Sequence, residues 1–135
     1  MKYRLTILMV VTVLFTSTHS CKKISTPNED SKLLFGSWQY KGSSGGFSGT
    51  GLTTMNEKNY IEFTERGYCK GYEGTKCKYK KHFTLEVKES ITGYLRSTII
   101  YKGTSSINQS FEIYGDTLFL NDEVYDGYNY IYIKK

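Results

Sequence analysis

Apolar and polar residues alternate with a period of two along most of the chain, and this pattern predicts strands. Tyr60–Thr64 puts Ile61 and Phe63 on one face. Cys77–Lys88 carries Phe83, Leu85 and Val87 at odd positions, with Cys77 at the same parity. Tyr94–Tyr101 ends in the apolar run Ile99-Ile100-Tyr101. Ser110–Tyr114 and Thr117–Leu120 flank Gly115-Asp116, a strong hairpin signal that sets Ile113 opposite Leu118 and Phe111 opposite Leu120. Phe35–Lys41 and Tyr128–Lys134 supply the first and last strands.

Turn chemistry fixes how these segments meet. Glu65-Arg66-Gly67 reads as a type I turn followed by a Gly bulge, which pairs Thr64 with Tyr68 and Phe63 with Cys69. Beyond the N-terminus no window joins helical periodicity to helix length. The one exception is short: Asn28 or Ser31 can cap a helical turn running to Phe35, with Leu33, Leu34 and Phe35 burying one side. Gly42–Lys58 is a long Gly-rich connection, read either as a mobile flap or, over Gly49–Met55, as Gly-broken strand. The total is about eight strands, most with short connections. Sequence neighbours are then antiparallel neighbours in space, and eight such strands close into an up-and-down β-barrel that leaves no exposed edge. Composition agrees with this all-β reading: 13 Tyr, 13 Gly and a single Pro favour strands joined by turns.

The first twenty residues have a different character. Lys2 and Arg4 precede an apolar run, Leu5–Phe15, and a small polar stretch to Ser20. That is the pattern of a secretory signal peptide, too short for a comfortable membrane span. Ser20-Cys21 resembles the cleavage site of a bacterial lipoprotein, although Thr18 and His19 depart from the usual aliphatic and small residues there. The resemblance implies that the Cys21 thiol is acylated, and that residues 21–32, polar and containing Pro27, tether the lipid to a domain spanning 33–135. Loss of Lys2 and Arg4 with the leader lowers the formal net charge from +5 to +3. So mild and dispersed a charge gives no support for nucleic-acid binding. The densest basic cluster, Lys76, Lys78, Lys80 and Lys81, reads as a solvated hairpin, with contact to anionic lipid headgroups as the alternative.

Candidate chemistry is sparse. Cys69 and Cys77 flank a Gly-containing segment, and by the registers above both fall on the apolar face. This favours a disulfide across adjacent strands, with two free thiols as the alternative. His82, the only His beyond the leader, has even parity, on the face opposite Phe83 and Leu85, and reads as an exposed strand residue; no other His is left for a Ser-His-acid set, and a structural zinc site wants four ligands. Glu62, Glu86 and Glu112 each alternate with apolar neighbours and are expected to face water rather than converge as a catalytic pair. We therefore expect no enzyme activity, catalytic residue, metal or cofactor.

Gly36-Ser37-Trp38 resembles the Gly-x-Trp signature that opens the first strand of lipocalins and related calycins, particularly the small lipocalin-like lipoproteins of Gram-negative envelopes. The resemblance covers residues 30–135 and lacks a Thr-Asp-Tyr-like motif in the later half. It implies that Gly36, Trp38 and Lys134 close one end of the barrel, with the Lys134 cation over the indole. It further implies a monomer held at the envelope, on the outer membrane, by its N-terminal lipid, binding a small hydrophobic ligand. The inward candidates are Phe63, Phe83, Leu85, Ile99, Tyr101, Phe111, Ile113, Leu118 and Leu120. The alternative is a filled barrel that acts as an interaction or inhibitor module for an envelope protein partner. Tyr72, Tyr94, Tyr114, Tyr128, Tyr130 and Tyr132, all at even positions, would then form outward patches.

Overall fold

The computed structural model describes residues 30–46, 58–103 and 105–135. The leader, Cys21, most of the tether and residues 47–57 of the long connection lie outside the described residues. A single turn of helix, α1 (Asp30–Leu33), leads into eight strands: β1 (Gly36–Gly45), β2 (Asn59–Thr64), β3 (Tyr68–Glu73), β4 (Lys76–Glu89), β5 (Leu95–Tyr101), β6 (Gln109–Tyr114), β7 (Thr117–Asp122) and β8 (Tyr128–Lys134). Each strand pairs antiparallel with the next, and β8 returns to β1, so the sheet is a closed barrel in chain order. The expected all-β, eight-stranded up-and-down barrel is the observed fold.

The expected registers around the two clearest turns are also observed. Thr64 pairs with Tyr68 and Phe63 with Cys69, and the Gly67 amide donates to the Thr64 carbonyl at 2.9 Å. Phe111 pairs with Leu120 and Ile113 with Leu118. The reason in both cases is local: a Gly in the left-handed region ends one strand and starts the next at fixed offset.

One end of the barrel is packed solid. Leu34, Trp38, Phe63, Phe83, Ile99, Phe111, Leu118 and Leu120 are all buried there in one cluster. Phe63 and Phe83 meet edge to face with ring centroids 5.5 Å apart. Trp38, 1% exposed, donates its indole N–H to the Leu34 carbonyl at 2.7 Å. Lys134 pairs with Trp38 across β1 and β8, and its Nζ lies 4.2 Å from the indole ring centroid. The same ammonium donates to the carbonyls of Leu33 (3.1 Å) and Phe35 (2.7 Å). Burial pulls the Lys134 pKa down, and the nearby Asp116 carboxylate pulls it back up. Gly36 is required beside it: its φ is +122°, and a Cβ there would stand 3.0 Å from the Lys134 Nζ.

The cysteine expectation is corrected. Cys69 is buried opposite Lys81, Cys77 is exposed opposite Tyr72, and both thiols are free. A β-bulge is responsible. Gly71 pairs with Tyr79 but Tyr72 pairs with Cys77, so β4 carries one extra residue at Lys78. One inserted residue reverses the facing of everything beyond it, because side chains alternate strictly. Cys77 therefore leaves the inner face that Tyr79, Lys81 and Phe83 occupy. A second bulge in β1, where Tyr40 pairs with Tyr132 and Gly42 with Ile131, does the opposite service and brings Ser43 onto the inner wall.

Two outcomes follow. Trp38→Ala should lower unfolding free energy by about 3–5 kcal/mol, and Lys134→Met by about 1–3 kcal/mol, in urea titrations. Of Cys69 and Cys77, iodoacetamide should label only Cys77 in the native protein, because burial both shields the Cys69 thiol and pushes its pKa up to about 12. Mass spectrometry of the labelled protein, native against urea-unfolded, reads this directly.

Candidate functional site

The other end of the barrel is not filled. β1 and β8 run on together as far as the Gly45–Tyr128 pair, whereas the β2–β3 pairing stops at Asn59–Glu73. Above that lower rim lies a cavity of about 640 Å³, lined by Tyr40, Tyr60, Tyr72, Tyr79, Tyr128, Tyr130 and Tyr132 together with Ser43, Asn59, Ile61, Gly71, Glu73 and Lys78. A second cavity of about 330 Å³ shares Ile61, Tyr79, Tyr130 and Tyr132 with the first and adds Cys69, Lys81, Tyr101, Ser105, Ile107, Gln109, Leu120 and Asp122. The two are adjoining chambers of one half-open interior.

The tyrosines are held by their own contacts. Tyr40 and Tyr132 meet edge to face at 5.4 Å, and the Tyr40 hydroxyl donates to the Ser43 Oγ at 2.9 Å. Tyr60 and Tyr72 stack with centroids 4.5 Å apart and planes only 6° from parallel. Gly71 lets Tyr79 lie flat on the wall: a Cβ at Gly71 would fall 2.2 Å from the Tyr79 ring. In the second chamber the polar groups form a chain. The Tyr101 hydroxyl donates to Gln109 Oε1 (2.9 Å), and Gln109 Nε2 donates to Asp122 Oδ1 (2.8 Å). Asp122 Oδ2 takes the Tyr128 backbone N–H (3.2 Å) and the Tyr130 hydroxyl (3.4 Å). Burial raises the pKa of Tyr101 and Tyr132 well above the usual phenol value, and that of Tyr130 to about 12, with Asp122 adding to the last. These walls are therefore neutral hydroxyl donors with apolar ring faces. Asn59 Oδ1, in the first chamber's wall, is a buried acceptor with no partner among the described residues.

Of the nine inward candidates, Tyr101 and Leu120 reach a cavity wall. Phe63, Phe83, Ile99, Phe111 and Leu118 are core residues of the packed end, and Leu85 and Ile113 lie against that core. Two of the expected outward tyrosines face inward instead: Tyr130 and Tyr132 pair with Leu120 and Leu118, so even positions of β8 point into the barrel. Tyr72 and Tyr128 stand in the cavity lining, while Tyr94 and Tyr114 are exposed on the outside. Lys81 is not on a solvated hairpin face but inside. Its odd parity with Phe83 and Leu85 was a legible signal; its charge argued the other way. The carboxylates behave as expected: Glu62 pairs with Lys70, Glu112 with Arg96 and Glu86 with Lys88, each between partly exposed side chains. The Lys70 hydrogen bond holds Glu62 below its usual pKa. His82 packs edge to face on Tyr68, and its Nδ1 is buried with no partner among the described residues.

The chain matches no known family profile and no curated protein sequence.

Ionising a buried tyrosine is harder in the folded than in the unfolded chain, where phenols titrate near pH ~10. Stability from Tyr101, Tyr130 and Tyr132 is thus fully present below about pH 10 and is lost as pH rises through their folded values. Urea midpoints should be level up to about pH 8, begin to fall as the unfolded-state Cys69 thiol ionises near pH ~8.5, and fall steeply above 10.

Proposed function

We propose that the protein is a lipid-anchored, lipocalin-like binding protein of the bacterial envelope that takes a small, largely apolar ligand into the open half of its barrel. The observation that carries this reading is the division of the interior. One half is sealed by Trp38 and its neighbours, and the other holds a cavity of about 640 Å³ walled by tyrosines. That size lies within the range of small-molecule pockets, which are mostly apolar with a few placed polar groups. Ring faces offer stacking to a flat apolar body. Hydroxyls and the unpartnered Asn59 oxygen offer polar contacts at its edge.

The anchor reading rests on Cys21 and the leader-like run before it. It is consistent with where the chain enters the fold. α1 meets the sealed end through Trp38 and Lys134, whereas Ser43 and Tyr128 mark the open one. A lipid upstream of α1 would hold the domain by its sealed end and leave the mouth to the aqueous side.

An uncharged fluorescent probe, N-phenylnaphthylamine, should bind near one equivalent and lose at least tenfold in affinity in Ser43→Trp, whose indole would occupy the first chamber. No binding, or binding indifferent to that substitution, would falsify the cavity reading.

A further inference from the structure

Lys81 lies in the wall of the second chamber, opposite the buried Cys69, with its Nζ 5.5 Å from the Tyr79 ring centroid and 5.4 Å from that of Tyr101. A lysine inside a barrel normally has a carboxylate to neutralise it. This one has none among the described residues, whose ion pairs join Lys70, Lys78, Lys88 and Arg96 to Glu62, Glu73, Glu86 and Glu112. The one carboxylate in the same wall, Asp122, is already committed. Both of its oxygens accept hydrogen bonds, from Gln109, Tyr128 and Tyr130. Gln109 is likewise used at both ends, by Tyr101 and Asp122. The chamber thus contains a satisfied acidic chain on one side and, on the other, an ammonium whose neighbours are two ring faces. Ring faces hold the cation in place but accept none of its N–H bonds in full.

Resting on the ligand-binding reading above, we infer that the ligand is an amphipathic anion, with a flat apolar body against the tyrosines and one anionic group, such as a carboxylate, bound to the Lys81 ammonium. The geometry suits that division of labour. The two chambers share the walls Ile61, Tyr79, Tyr130 and Tyr132, so one molecule can fill the larger and reach the smaller. Tyr79 and Tyr101 flank the ammonium before any ligand is present, which reduces the ordering cost when the anion arrives. A charge-assisted N–H to carboxylate bond in a half-dry chamber is about twice as strong as a neutral one. The committed Asp122 contributes the opposite preference, disfavouring a second anionic group in the same chamber.

The test displaces bound N-phenylnaphthylamine with naphthylacetate and with naphthylethanol, which share a ring and differ in charge. Wild-type protein should release the probe to the acid at roughly tenfold lower concentration than to the alcohol, the factor expected of one charge-assisted bond. Lys81→Met should erase that preference, read as the ratio of acid to alcohol displacement within the variant, and Lys81→Arg should restore it. Equal displacement by acid and alcohol in wild type, or a preference that survives Lys81→Met, overturns the inference while the probe's own binding upholds the cavity. Failure of the probe to bind wild type rejects the cavity reading and this one with it. A circular dichroism melt of each variant confirms that the comparison is between folded proteins; should Lys81→Met fail to fold, Lys81→Gln takes its place with the same expected outcomes.

Discussion

The structure depends on one knot at the sealed end of the barrel. The Lys134 ammonium sits over the Trp38 ring and donates to the carbonyls of Leu33 and Phe35, while the indole N–H donates to that of Leu34. Three consecutive carbonyls at the end of α1 would otherwise be orphans, as helix C-termini leave theirs unpaired. The knot satisfies them with groups from the first and the last strand. A barrel closes only when its first and last strands pair, and that pairing spans almost the whole described chain. The contact that ties α1 down also marks the β1–β8 seam at Trp38–Lys134.

From this fixed end the interior follows in two stages. Near the knot, large apolar side chains from β2, β4, β5, β6 and β7 fill the cross-section with no need of polar partners. Further along, the inner positions change character. Tyr40, Tyr79, Tyr101, Tyr130 and Tyr132 replace Phe, Ile and Leu, and Ser43, Gln109, Asp122 and Lys81 join them. The tyrosines line the wall: hydroxyl bonds hold Tyr40, Tyr101 and Tyr130 to Ser43, Gln109 and Asp122, Tyr79 lies over Gly71, and Tyr132 meets Tyr40 edge to face. The transition from Phe and Leu to Tyr along the strands is therefore the transition from core to chamber.

Much of this was legible in the residues. Gly67 and Gly115-Asp116 set two hairpin registers that the fold reproduces, since a tight turn leaves the flanking strands no freedom to slide. Trp38 and Lys134 were identified as partners through the Gly-x-Trp resemblance, not through spacing, because their contact spans the length of the domain. The candidate site was read less well. Parity counting along β4 put Cys77 with Phe83, and only the bulge at Lys78 separates them. The even-numbered Tyr130 and Tyr132 of β8 read as outward, the reverse of what their pairing with Leu120 and Leu118 imposes. Both Ile and Tyr suit either face of a strand, so composition could not choose between them.

Taken alone, then, the sequence determined the strand count, the antiparallel order and the tight turns, and the Gly-x-Trp resemblance implied the sealing role of Trp38. The first three rest on local chemistry: period-two alternation and glycines at positive φ. Only the tertiary structure decided which half of the barrel is hollow, which tyrosines line it, that Cys69 and Cys77 stand apart, and that Lys81 points inward without a counter-charge among the described residues. Those facts depend on bulges and on strand stagger around a closed sheet. Each bulge reverses the facing of all that follows, and the stagger is set by closure of the ring as a whole, so no single segment of the chain contains either.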